Sequence, residues 1–99
     1  MTDVSNAMRL NAHINEIRAA ANRISASWEA STRVTGINEA LDDKERAELN
    51  GLLTTKANAA LNLLHAEEVA AIDTADIDEQ QAARFRADTN RTTVYTLTN

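Results

Sequence analysis

The chain has 99 residues and a net charge of −5, with 43% hydrophobic but only 3% aromatic residues. The absence of cysteine excludes disulfides, thiolate metal sites and a cysteine nucleophile, and the absence of proline with only two glycines argues against a chain cut by many turns. No apolar run approaches transmembrane length, and the acidic balance argues against a nucleic-acid partner.

The length sets one domain with a thin, alanine-rich core, which self-association would thicken. The N-terminal residues Met1-Thr2-Asp3-Val4-Ser5-Asn6 lack the basic and apolar regions of a signal peptide, so a soluble cytoplasmic protein without a membrane partner is expected.

The first element is a long helix. Ala7, Leu10, Ile14, Ile17, Ala21, Ile24 and Trp28 recur three and four residues apart, a single seam flanked by small and polar residues. Asp3 or Ser5 is its expected cap. The pattern runs to about Ala30, weakens through Ser31-Thr32-Arg33-Val34-Thr35 and meets a left-handed stop at Gly36. Leu10, Ile14, Ile17, Ile24 and Trp28 are the candidate interface residues. They need cover from the rest of the chain or from a second copy, and a homodimer or higher oligomer is expected.

Ile37 to Leu41 predicts a short turn, and Asp42 with Glu45 a capping box for a second long helix. Its predicted stripe is Leu49, Leu52, Leu53, Ala57, Ala60, Leu63, Leu64, Ala70 and Ala71, interrupted by Lys56 and Glu67. Asn50-Gly51 is a turn signal inside that stripe, but Leu49 and Leu53 keep phase across it, so a continuous helix is favoured; Gly51 would also permit close approach of another helix.

Asp73 to Asp78 is poor helix sequence and predicts a break. Asp76 with Glu79 predicts a second capping box opening a shorter helix through Phe85 to about Asn90. Thr92 to Thr98 alternates like an edge strand, with fraying favoured because a lone strand leaves its backbone unpaired. The expected fold is therefore all-α. Two long antiparallel amphipathic helices and a shorter third form a single domain over residues 1–91, followed by an extended or disordered tail over 92–99, and the whole assembles as an oligomeric helical bundle.

Charge is unevenly placed. Residues 57–83 carry Glu67, Glu68, Asp73, Asp76, Asp78 and Glu79 with no Lys or Arg, while Arg84, Arg86 and Arg91 follow. The acidic run lacks the alternate oxygen ligands and the glycine of a calcium loop, because Ala75 and Ile77 stand at ligand positions; a helix start is the simpler reading. His65 with Glu67 and Glu68 falls short of a carboxylate-bridged metal site, because Asn62 stands where a Glu-x-x-His pair needs glutamate. It reads as an exposed histidine, and His13 as a flank residue. No metal or cofactor is expected.

No serine sits in a nucleophile turn and no glycine-rich loop exists for phosphate, so no catalytic residue is assigned and an enzyme is not expected. Three arginines near Phe85 and Tyr95 give a weak phosphate footprint, better explained by pairing with the acidic middle. Trp28 lies in phase with the isoleucines and reads as core or oligomer contact before an anchor for a foreign partner.

The expected function is non-enzymatic binding of another protein through helical faces, as an interaction or inhibitor protein. In composition alone the chain resembles small, acidic, motif-free accessory proteins of bacteriophages and other mobile elements. One alternative is an oligomeric anion or nucleotide binder with pockets between protomers lined by Asn11, Arg18, Arg84 and Arg86. The other is a structural assembly component.

Overall fold

The computed structural model describes residues 2–92 and Leu97. Three helices follow one another: α1 (Thr2–Ile37), α2 (Asp43–Thr74) and α3 (Glu79–Thr92). The first two pack antiparallel, as the contacts of Arg18 with Glu68 and Trp28 with Thr54 show, and Asn6 reaches the Asp76 carbonyl just beyond the end of α2. The third lies against the end of this hairpin that is remote from its turn, and the molecule is a rod of 60 × 17 × 16 Å.

The seam on α1 finds its cover inside the chain. Leu10, Ile14, Ile17 and Ala21 are buried, and Ile24 and Trp28 half-buried. Leu10 and Ile14 join Ile72 of α2 and Ala82 of α3 in a common core, with Ala71, Ala75, Ile77 and Phe85 packed on it. Burial of such aliphatic side chains is worth about 1.5–3 kcal/mol each.

The first helix continues through the stretch after Ala30 where the pattern weakens and ends at Ile37, one residue past the expected stop at Gly36. Thr32 and Thr35 return their hydroxyls to the carbonyls of Glu29 and Ser31, which removes the competition that made this stretch look weak. Gly36 is helical and has no left-handed conformation. Ser5 is inside the helix, which begins at Thr2, and so is not its cap.

Between the long helices, Asn38 organises the turn. Its Oδ1 accepts from the Ala40 N–H, its carbonyl from Leu41 N–H, and the same carbonyl receives Arg46 Nη2 at 2.8 Å. The Asp42–Glu45 capping box is present as expected: Asp42 Oδ1 accepts from Glu45 N–H and Glu45 Oε1 from Asp42 N–H.

The second helix is continuous across Asn50-Gly51. Its buried line, however, is Ala57, Leu61, Glu68 and Ile72, with Asn50, Thr54, Leu64 and His65 half-buried. That line is rotated from the stripe expected on leucine content. Leu49, Leu52 and Leu63 are exposed at 37%, 52% and 73%, and so are Lys56 and Glu67. The carboxylate that enters the buried face is Glu68. His65, expected on the solvated side, is half-buried for the same reason.

Extended backbone at Ala75 ends α2. The cap of α3 is Asp78, not Asp76: its Oδ1 accepts from Gln81 N–H at 2.8 Å and its carbonyl from Ala82 N–H. The shift leaves Ile77 free to turn into the core. Most of the expected strand lies outside the described residues. Leu97 is described, and both its backbone groups bond the side-chain amide of Asn58 on α2, at 3.1 and 2.8 Å.

A Cβ at Gly51 would meet nothing within 4 Å, so no close helix approach within the chain uses that glycine. Gly51→Ala should therefore raise stability by about 1 kcal/mol. Thermal unfolding followed by circular dichroism should show a midpoint higher by about 5 °C.

Candidate functional site

Three places gather chemically capable side chains: a partly buried ionic bridge, a groove along one flank of the hairpin, and a hollow beside α3.

The bridge centres on Arg18. Its Nε donates to Glu68 Oε1 at 3.0 Å and its Nη2 to Asp88 Oδ2 at 3.0 Å. Glu68 is 1% exposed, and its second oxygen has no hydrogen-bond partner among the described residues. Burial works against the charge on Arg18. The hydrogen bonds to Asp88 and Glu68, with the charges of both carboxylates, outweigh it and hold the guanidinium pKa above its ordinary value. A raised pKa of this kind contributes stability that is lost only as pH rises past it, so the bridge stays charged on the arginine side at every accessible pH.

The four residues read as a ligand set are separated by this arrangement. Arg18 is held by its two carboxylates, and Arg86 donates to Asp73 Oδ1 at 3.2 Å and lies 4.0 Å from Glu79. Arg84 lines a hollow of about 340 Å³ with Ala7, Gln81, Phe85 and Asp88. Asn11 is exposed on α1, seven residues from Arg18 and so on the same side of that helix. Asp88 therefore links Arg18 to the hollow that Arg84 borders, while Arg86 is directed to α2.

His13 Nε2 stands 3.9 Å from Glu67 Oε1, both exposed. Among the described residues, no group of three histidine, aspartate or glutamate side chains converges as metal ligands. No described helix is long and apolar enough to cross a membrane.

The groove runs along the flank of the hairpin between α1 and α2. Arg23, Ile24, Ser27, Trp28, Leu53, Lys56, Ala57 and Ala60 surround a space of about 390 Å³. Ser31 and Leu53 are shared with a second space of about 360 Å³, bounded by Ala30, Val34, Thr35 and Leu49, so the two form one trough. The third helix and Leu97 lie on the other flank of the hairpin, where Asn58, Val69 and Asp73 emerge from α2. Ionic side chains stand at one part of the trough, Arg23 and Lys56, and the remainder is Trp28 with aliphatic or small residues.

Trp28 is fixed within this trough. Its indole Nε1 donates to Thr54 Oγ1 at 3.0 Å, and Thr54 in turn donates to the Asn50 carbonyl at 2.8 Å. The polar edge of the ring is thereby satisfied inward, which leaves its apolar surface to border the trough. Spacing alone placed Trp28 and Ile24 on the seam. It placed Leu49 and Leu53 on the stripe of α2, but that they would border an open trough beside Trp28 required knowing the rotation of α2.

No known protein family, curated protein or solved structure matches this chain.

Arg18→Ala should cost about 3–5 kcal/mol, because it leaves Glu68 as a buried carboxylate without its partner. The double variant Arg18→Leu with Glu68→Leu should recover most of that loss. Urea denaturation of the three proteins checks both statements.

Proposed function

We propose that this chain is a non-enzymatic protein-binding module that receives an amphipathic helix of another protein in the trough beside Trp28. The observation that supports this reading is that the two spaces share Ser31 and Leu53, so that together they follow α1 from Arg23 to Thr35, about three turns of helix. Ile24, Trp28, Val34, Leu49 and Leu53 would meet the partner's apolar stripe. Arg23 and Lys56 would favour acidic residues along its edge. Trp28 has the features of an anchor: a large ring, held rigid by its own hydrogen bond, at a half-exposed position.

An inhibitor would act through the same contact, by occupying the helix its target uses elsewhere. The reading as an anion site built from Asn11, Arg18, Arg84 and Arg86 has less support, because Arg18 and Arg86 already neutralise carboxylates of the chain.

A photo-crosslinking residue at Ser27 should capture a single protein in cells of the native source, and one at Asn62, outside the trough, should not. Leu53→Arg should abolish the capture while leaving the helical spectrum unchanged. Purified with that protein, the single tryptophan should change its emission on mixing. Equal capture from both positions, or capture that survives Leu53→Arg, would rule out the trough as the binding site.

A further inference from the structure

The side of α2 turned away from α1 carries a second alternation of four and three: Leu52, Lys56, Ala59, Leu63, Ala66 and Ala70. All six residues are exposed, Leu52 at 52% and Leu63 at 73%. This is the spacing that allows one helix to seat along another, and no described element covers it.

The order of side-chain sizes along this row has a property that single residues do not show. Written from Leu52 to Ala70 it runs large, large, small, large, small, small. Reversed, it becomes its own complement, so a copy running the other way sets a large side chain against a small one at every level. We propose that two copies of this chain pair antiparallel through the outer face of α2, with Leu52, Lys56 and Leu63 of each seated against Ala70, Ala66 and Ala59 of the other.

Charge supports the same register. Lys56 and Glu67 lie on one flank of the row, and in the antiparallel pair each Lys56 comes within about one residue's rise of Glu67 of the other copy, giving two symmetric ion pairs. Glu48 approaches Asp73 of the other copy, but that carboxylate is already paired with Arg86 at 3.2 Å, and Arg86 remains 46% exposed. A parallel pairing sets Leu63 on Leu63, leaves the alanines facing each other across gaps, and brings two Lys56 ammonium groups together.

The contact spans the 19 residues from Leu52 to Ala70, about 27 Å of one helix from each copy. A contact of that size is at the small end for specific interfaces, so dissociation constants on the order of micromolar are expected. Lys56 borders the trough as well as this row, whereas Leu63 takes no part in the trough, so Leu63→Arg tests the pairing independently of the trough reading.

Light scattering after size exclusion should find the full chain dimeric at high micromolar concentration, and Leu63→Arg should make it monomeric with unchanged thermal stability of the helices on dilution. Lys56→Glu should weaken association roughly tenfold, because both ion pairs become repulsions, and adding Glu67→Lys should restore it. The chain has no cysteine, so register can be read by oxidation. Ala59→Cys mixed with Leu63→Cys should give a crosslinked heterodimer, as the antiparallel pairing requires. A wild-type monomer at that concentration, a dimer that tolerates Leu63→Arg, or crosslinking that favours identical positions over the 59–63 pair would each overturn the proposal.

Discussion

One guanidinium ties all three helices together. Arg18 leaves α1 and bonds Glu68 of α2 and Asp88 of α3 at equal distance. The aliphatic core beside it is small: Leu10, Ile14, Ile72 and Ala82 with a few partly covered neighbours. Apolar packing is non-directional and would tolerate sliding of two alanine-rich helices past one another. A buried carboxylate that must meet its partner does not tolerate it, because a shift of one turn would leave Glu68 charged and alone in the interior. The bridge thus acts on register and on the placement of α3, where the apolar contacts alone discriminate weakly.

The rotation of α2 follows from that constraint. Turning Glu68 toward Arg18 brings Ala57, Leu61 and Ile72 inward and carries Leu49, Leu52 and Leu63 toward the surface. A count of leucines picks a rotated solution that shares Ala57 with the buried line, since it values each position by its own transfer free energy. The all-helical class, the two long elements, the Asp42 cap and the continuity across Gly51 were legible, because each depends on local spacing and backbone preference. The strength of α1 after Ala30 and the cap at Asp78 were misjudged, where threonine back-bonding and the pull of Ile77 into the core override local preference. The trough was illegible for a stronger reason: its two walls belong to residues some 25 positions apart, and their juxtaposition depends on a polar contact, Arg18 with Glu68, located elsewhere in the hairpin.

The same rotation explains why a chain this small presents so much apolar surface. A hairpin covered on one flank by α3 leaves its other flank and its back open. The trough beside Trp28 and the row through Leu63 are these two open sides, and they differ in kind. The trough is concave and bordered by two helices, whereas the row is a convex single-helix surface whose order of sizes is its own complement when reversed. A concave channel suits a foreign helix, and a convex self-complementary row suits another copy of itself.

The Asn58 amide gives Leu97 what a neighbouring strand would give it: one donor for its carbonyl and one acceptor for its N–H. Such recognition reads main chain only. It is blind to the side chain at position 97 and depends wholly on the amide at 58, since a carboxylate there could accept but not donate. The two ends of this contact therefore carry unequal burdens under mutation. The hydrogen bonds themselves bar only proline at position 97, while position 58 is held to an amide that can donate and accept at once.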